Sequence, residues 1–181
     1  MGRPVANLRL FAAVYPPEEC ARELLRRATE SGAGGRAVDV ECVHLTVQFI
    51  GDTAAARMEE VRESVRRSCA GIGAFRLLPV ELITLPERGA PRLVAARTDE
   101  PAALLELHRR LAHRLARHPR ARDEERFVPH LTLVRYAGGG ARVAAALDGP
   151  TFEVRSVKLM RSTLQPGGAR HHLVEQVGLE G

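Results

Sequence analysis

The sequence predicts a sheet covered by helices, of the α/β or α+β class. Segments rich in branched and aromatic residues alternate with segments of helical periodicity. This rhythm of strand, helix, strand, helix and further strands occurs twice, once before about residue 90 and once after it. Hydrophobic residues make up 45% and charged residues 27% of the 181 positions, which is enough apolar material for one folded domain. Alternation of this kind places helices against a sheet.

The first half of the chain contains two strands that are each followed by a helix. Pro16 and Pro17 end the first strand, and the glycine-rich segment from Gly32 to Gly35 ends the first helix. Gly51 closes the second strand. The predicted order is strand 7–15, helix 17–31, strand 43–50, helix 54–70, and strands within 75–85 and at 93–97.

The second half begins with the clearest helix of the chain, predicted at 101–118. Pro101 suits its first turn. Its apolar side consists of four leucines that recur at spacings of three and four residues, namely Leu104, Leu107, Leu111 and Leu115. A charged loop, a break at the glycines 138–140 and a glycine-rich turn separate the strands that follow, which are predicted at 128–134, 152–160 and 173–177.

The charge of the chain is positive and almost all of it comes from arginine. The formal net charge is +5, and Lys158 is the single lysine among 27 basic residues. The planar guanidinium suits phosphate, whereas a GC-rich coding sequence would also favour arginine, alanine and glycine. The charge therefore permits a polyanionic partner without requiring one.

The chain has the composition of a cytoplasmic protein. Cys20, Cys42 and Cys69 are an odd number of cysteines without a CxxC spacing, so we expect neither a disulfide framework nor a structural zinc site. No stretch approaches the roughly 20 apolar residues of a membrane span, and the N-terminus lacks the pattern of a secretory signal. We expect no membrane association, no cofactor and no obligatory protein partner.

One short motif occurs in both halves of the chain. The tetrapeptide HLTV begins at His44 and HLTL begins at His130, about half the chain apart and at comparable places in the two halves. A single HxT is weak, because a lone strand histidine is most often a half-buried residue bonded to the backbone. A pair at matching positions is a much more specific signal.

The alternation of side chains along a strand predicts which side of the sheet each motif residue faces. His44 and Thr46 should face one side of the sheet. Leu45, Val47 and Phe49 should face the other side, toward the core. The second copy repeats this arrangement, so each strand offers one imidazole and one hydroxyl to a polar face.

Two opposed histidines and two hydroxyls suit phosphoryl transfer. One neutral imidazole can take a proton from water while a protonated partner gives one to the leaving oxygen. In-line displacement at phosphorus needs these two groups on opposite sides. The hydroxyls of Thr46 and Thr132 can donate to the non-bridging oxygens.

The paired motifs resemble the HxTx motifs of the 2H phosphoesterases, and within them the bacterial RNA 2′,3′-cyclic phosphodiesterases, also called 2′-5′ RNA ligases. The resemblance covers almost the whole chain. The second motif is especially similar because it is followed by Arg135, as in the family. Further similar segments are residues 9–14, 49–51, 91–94 and 127–135, and the C-terminal stretch 159–170.

The resemblance implies a bilobal α+β fold, a pseudo-two-fold pair of antiparallel sheets with helices outside and the cleft between the lobes. The lobes would be about 1–90 and 91–181, with strands exchanged between them. It also implies metal-independent hydrolysis of a 2′,3′-cyclic phosphate, on RNA ends or small cyclic nucleotides, to a 2′-phosphate.

The resemblance assigns roles to individual residues. His44 would be the proton donor and His130 the proton acceptor, while Thr46, Thr132 and Arg135 would hold the phosphate. Two phenylalanines could stack a base, although a core role is open for each; they are Phe11 and Phe127. Strand alternation alone leaves open whether Arg135 faces the cleft or points away from it.

Other functions remain open at this stage. Cys42 lies two residues before His44, so a cysteine–histidine nucleophile pair is conceivable, although no third orienting residue is evident. The same mechanism could act on another cyclic nucleotide or on a 2′-5′ linked substrate. A protein that binds RNA phosphate without turnover is a third possibility, which the basic charge would suit.

Overall fold

The computed structural model describes residues 7–115, 127–165 and 168–180. Within these ranges the chain forms three α-helices, α1 (Glu18–Glu30), α2 (Met58–Cys69) and α3 (Ala102–Leu115). The eleven strands are β1 (Asn7–Val14), β2 (Arg36–Ala37), β3 (Leu45–Ala54), β4 (Phe75–Leu77), β5 (Pro79–Leu85), β6 (Leu93–Thr98), β7 (His130–Arg135), β8 (Ala144–Ala146), β9 (Phe152–Val154), β10 (Ser156–Gln165) and β11 (Gly168–Gly178).

Nine of these strands form one antiparallel sheet. Their order is β11-β10-β1-β3-β7-β6-β5-β8, with β2 also beside β7, and β4 and β9 form a separate two-stranded sheet. All the pairings are antiparallel, whereas an α/β fold needs parallel strands joined by crossover helices. The α+β class is therefore confirmed.

Apart from β2, the large sheet consists of two four-stranded halves that meet at β3 and β7. A single register pair, Leu45 with Leu131, joins these two strands. Further along β7, the short strand β2 pairs with it at Val134 and Arg135, in place of β3. The half around β1 also contains β10 and β11, so C-terminal strands complete the N-terminal half of the sheet. The boundary between lobes near residue 90 stays a prediction.

The three helices cover one face of the sheet. The leucines that give α3 its predicted apolar side are all buried, from Leu104 to Leu115. They share one core with the buried residues of α1 and α2 and with alternate residues of β1, such as Leu10 and Ala12. Phe11 and Ala13 belong to a separate small cluster with Met160, because they point to the opposite face. None of the three helices contributes a residue to that cluster. None of the helices within the described ranges is both long and apolar enough for a membrane span.

The structure departs from the predicted elements mainly at strands that have few buried side chains. The predicted strand 173–177 is the end of a longer hairpin formed by β10 and β11. Leu164 and Leu173 on this hairpin are 76% and 56% exposed, so no apolar alternation marks its full length. The short strands β2 and β8 were not predicted, since pairing of two or three residues leaves no periodic signal. The end of the predicted helix 101–118 and the charged loop after it lie outside the described residues.

Candidate active site

The register between β3 and β7 relates the two motifs by a local two-fold axis. Leu45 pairs with Leu131, and both are fully buried. Extending this antiparallel register by one residue on either side sets each motif histidine opposite the threonine of the other motif. By extension of the Leu45–Leu131 pair, His44 is expected opposite Thr132, and His130 opposite Thr46. Directly opposed side chains in a sheet have Cβ atoms about 5 Å apart, and diagonal neighbours about 7–8 Å. The two imidazoles thus occupy opposite corners of a four-residue patch.

A pocket of about 120 Å³ opens beside this patch. Three of the predicted site residues line it, namely His44, Thr132 and Arg135. The described residues that complete the lining come from β2 and the turn after it, from Cys42 and from β11; they are Arg36, Ala37, Val38, Asp39, Cys42, Ala169 and His171. His130 and Thr46, the other directly opposed pair of the patch, are not part of this lining.

Each motif histidine makes the same kind of hydrogen bond to the backbone. Nδ1 of His44 lies 2.7 Å from the carbonyl oxygen of Cys42, and Nδ1 of His130 lies 2.7 Å from that of Val128. A carbonyl oxygen can only accept, so the neutral ring carries its proton on Nδ1 in each case. Nε2 is therefore the nitrogen that is free for proton transfer in both rings.

The surroundings keep both imidazoles neutral in the absence of an anion. Burial lowers the pKa of His44 to about 4, against the opposing effect of the Cys42 carbonyl, and the nearby His171 and Arg135 side chains lower it further. Burial also lowers the pKa of His130, and Arg135 adds to that effect. Near neutral pH both rings then present an unprotonated Nε2.

A β-bulge turns Arg135 toward the pocket. Two consecutive residues of β6 pair with Thr132 and Val134 of β7, so Leu133 between them is an extra residue in β7. Leu133 and Val134 are consecutive and both are buried. The alternation is reversed beyond them, and Arg135 is exposed and lines the pocket. Sequence alternation could not decide this point because it carries no sign of the bulge.

Bulges also reverse the predicted direction of Phe49. The register between β1 and β3 shifts twice, and Phe49 pairs with Phe11 on the face that carries the motif histidines. Phe49 is 45% exposed, and the guanidinium of Arg9 lies 5.1 Å from the centre of its ring. The expectation that Phe49 faces the core with Val47 is therefore wrong. The sequence of β3 alone carries little sign of these shifts, because they depend on the fit of β3 against β1.

The two phenylalanines predicted to stack a base lie in packed surroundings. Phe11 is 4% exposed, and its ring centre lies 5.1 Å from that of His44. Phe127 stacks on His108 of α3, with ring centres 3.9 Å apart and planes 7° apart. His108 is in turn bonded to the carbonyl of Val47 on the helix side of the sheet. Base stacking by either phenylalanine stays a prediction, and neither lines the pocket.

Aromatic rings enclose His44 on several sides. The ring of Tyr15 stacks on it at 5.3 Å and 28°, and the ring of His171 meets it edge-on at 5.0 Å and 84°. Sequence reasoning missed Tyr15 and His171, because neither belongs to the motif. Their packing fixes the orientation of His44 and excludes water from it, which is the physical cause of its low pKa.

The thiol of Cys42 is not arranged as an activated nucleophile. His44 uses the backbone carbonyl of Cys42 rather than its sulfur. Burial raises the pKa of the thiol, and nearby carboxylates add to this, so the reactive thiolate is disfavoured. Within the part of the chain that the structure describes, no three histidine, cysteine or acidic side chains are grouped closely enough to hold a metal ion.

These features define the class of the protein. It is an α+β protein with a paired-histidine site where the two halves of its antiparallel sheet meet. The family model described as the 2′-5′ RNA ligase superfamily matches residues 16–165. The chain belongs to this superfamily, as the resemblance of its motifs predicted.

The similarity to known proteins, in sequence and in structure, covers nearly the whole chain. The RNA 2′,3′-cyclic phosphodiesterase of Thermotoga maritima is 27% identical over 96% of this chain and 97% of its own length. The protein of the same name from Thermus thermophilus is 28% identical over 96% and 91%. The crystal structure of TT0787 from Thermus thermophilus superposes with a TM-score of 0.83 at 27% identity, covering 96% of this chain and 98% of that one. Escherichia coli LigT complexed with 3′-AMP shares the fold, with a TM-score of 0.81 at 22% identity over 97% and 100%.

Proposed function

We propose that the chain is a cytoplasmic RNA 2′,3′-cyclic phosphodiesterase that hydrolyses the cyclic phosphate to a 2′-phosphate without a metal ion. The observation that carries this proposal is the matching pair of histidines, each anchored through Nδ1 to the carbonyl two residues earlier. Relatives of similar length that are named for this activity support the choice of substrate.

Nε2 of His130 accepts a proton from a water molecule whose oxygen attacks the phosphorus. The bond from phosphorus to the 3′ oxygen breaks, and His44 gives its proton to that oxygen. The products are a free 3′ hydroxyl and a 2′-phosphate. Proton transfers by a positioned histidine typically contribute about 10²–10⁴-fold to the rate.

His44 can be the donor only if the bound substrate changes its charge state. In the free protein its pKa is about 4, so it is mostly neutral at pH 7. The phosphodiester carries a negative charge, and an opposite charge within a few ångströms favours the protonated imidazole. Substrate binding therefore raises the pKa of His44, so that the bound complex carries the proton on His44 that the leaving oxygen needs.

The remaining motif residues hold the phosphate. Thr46 and Thr132 stand opposite the two histidines, so each hydroxyl can donate to a non-bridging oxygen between them. Arg135 lines the pocket with its positive charge and can form two parallel hydrogen bonds to phosphate.

Product analysis on 2′,3′-cyclic AMP and on an oligonucleotide with a cyclic phosphate end tests the proposal. We expect 2′-phosphate products, no effect of EDTA, and a fall in kcat of about 10² or more for His44→Ala and for His130→Ala. His113→Ala, on the exposed side of α3, is the matched control and should retain full activity. Retained turnover in both motif variants would refute the mechanism. Salt-sensitive binding of the oligonucleotide without any product would instead identify a binding module.

A further inference from the structure

A histidine outside the two motifs also lines the pocket, and it comes from β11 at one edge of the large sheet. His171 lies on β11, where it pairs with Ser162 of β10. Its ring centre lies 5.0 Å from that of His44 and 4.9 Å from that of Phe11, and the residue lines the pocket. The β10–β11 hairpin thus carries an imidazole to the side of the pocket where His44 is found.

The hydrogen bonding of His171 differs from that of the two motif histidines. Its Nδ1 is buried and has no partner among the described residues. A proton on this nitrogen would be a buried donor without an acceptor, which is costly, so the neutral ring carries its proton on Nε2. The motif histidines have the opposite tautomer, with Nδ1 protonated and Nε2 free. His171 is therefore the neutral histidine that brings an N–H donor to the pocket.

We infer that His171 is a substrate-binding residue that donates its Nε2–H to an oxygen of the bound phosphodiester on the His44 side of the pocket. This inference rests on the proposed function and adds a ligand for the substrate to it. The accessible part of the residue lines the same pocket as Thr132 and Arg135, so one phosphate can be reached from all three.

The neutrality of His171 suits this role beside other cations. Burial lowers its pKa, and the charges of Arg135 and His172 lower it further. A protonated ring here would add repulsion to the proton that His44 must carry during the reaction. A neutral donor stabilises the phosphate without that cost.

Two substitutions separate the donor from the packing of the ring. His171→Phe keeps an aromatic ring against Phe11 and His44 but removes the donor, and His171→Gln keeps an N–H at a similar reach. We expect His171→Phe to raise KM about ten-fold or more with little change in kcat, because a bond made equally in the bound substrate and the transition state acts on KM. His171→Gln should recover most of the loss. His113→Phe, at an exposed position of α3, is the control and should leave KM unchanged.

Wild-type kcat/KM in His171→Phe would overturn the inference, as would an equal loss in His171→Gln or in the His113→Phe control. Binding of inorganic phosphate, followed by the ¹⁵N signals of the histidine rings, tests the inference independently of turnover. We expect the Nε2–H tautomer at His171, Nδ1–H tautomers at His44 and His130, and a change in the His171 Nε2 signal on addition of phosphate. The same tautomer at all three rings would contradict the inference. If cyclic phosphates are not hydrolysed but phosphate still shifts this signal, the proposed function fails and the binding role of His171 stands.

Discussion

Leu45 of β3 and Leu131 of β7 are register partners, and both side chains are 0% exposed. This pair joins the two halves of the sheet and stands at the centre of the pseudo-two-fold relation between the motifs. Each leucine lies between the histidine and the threonine of its own motif. The packing of the core and the geometry of the site therefore share the same two positions.

Shortening either leucine should affect stability and activity together. Leu45→Ala or Leu131→Ala is expected to lower the free energy of unfolding by about 2–5 kcal/mol, because each leaves a cavity in a packed core. The loosened pairing of β3 with β7 should also lower kcat. Urea unfolding and steady-state kinetics measure the two effects. Leu164→Ala removes a side chain that is 76% exposed, and an equally large loss there would contradict the argument.

Acid should destabilise the protein through His44. Its pKa is about 4 in the folded state and about 6.5 when unfolded, so the unfolded state binds the proton first as the pH falls. The folded state is then progressively disfavoured from about pH 6.5 to pH 4, by about 3 kcal/mol in total from this group. Unfolding free energies across this range should fall less steeply for His44→Gln than for the parent protein. His113→Gln, at an exposed position, should keep the parent slope.

Removal of the Arg135 charge should weaken substrate binding and shift the pH dependence. Arg135 lowers the pKa of both His44 and His130, so Arg135→Gln allows them to bind protons at higher pH. The pH profile of kcat/KM should move toward alkaline pH, and KM should rise about ten-fold. Arg161→Gln changes the net charge equally at an exposed position of β10. A similar shift in that variant would show a general charge effect instead.

Phe49 is the aromatic residue on the motif face with the most accessible ring, and it should contribute to binding of the base. Phe49→Ala is expected to raise KM about 5-fold or more for 2′,3′-cyclic nucleotides, because stacking of a base on an aromatic ring contributes about 1–3 kcal/mol. The inhibition constant of inorganic phosphate should not change, since phosphate has no base. Leu105→Ala, at a 39% exposed position of α3, serves as the control. Equal effects on phosphate and nucleotide would argue against stacking.

The sequence predicted those parts of the fold that repeat a pattern. The leucines of α3 recur with helical spacing, and the structure buries all four. The two HxT motifs alternate on their strands as expected over the motif itself. The prediction failed for Phe49, where two register shifts interrupt the alternation. A bulge is set by the local fit of two strands that are distant in sequence, so a single strand carries little sign of it.

The amino-acid sequence by itself determined the fold class, the family and the two motifs that would carry the chemistry. Only the tertiary structure decided that Arg135 turns into the pocket, that Phe49 is accessible and that His171 packs against His44. The physical reason is the separation along the chain of the residues that are involved. Periodicity and motif spacing are properties of consecutive residues, whereas these three placements depend on contacts between strands that lie far apart along the chain.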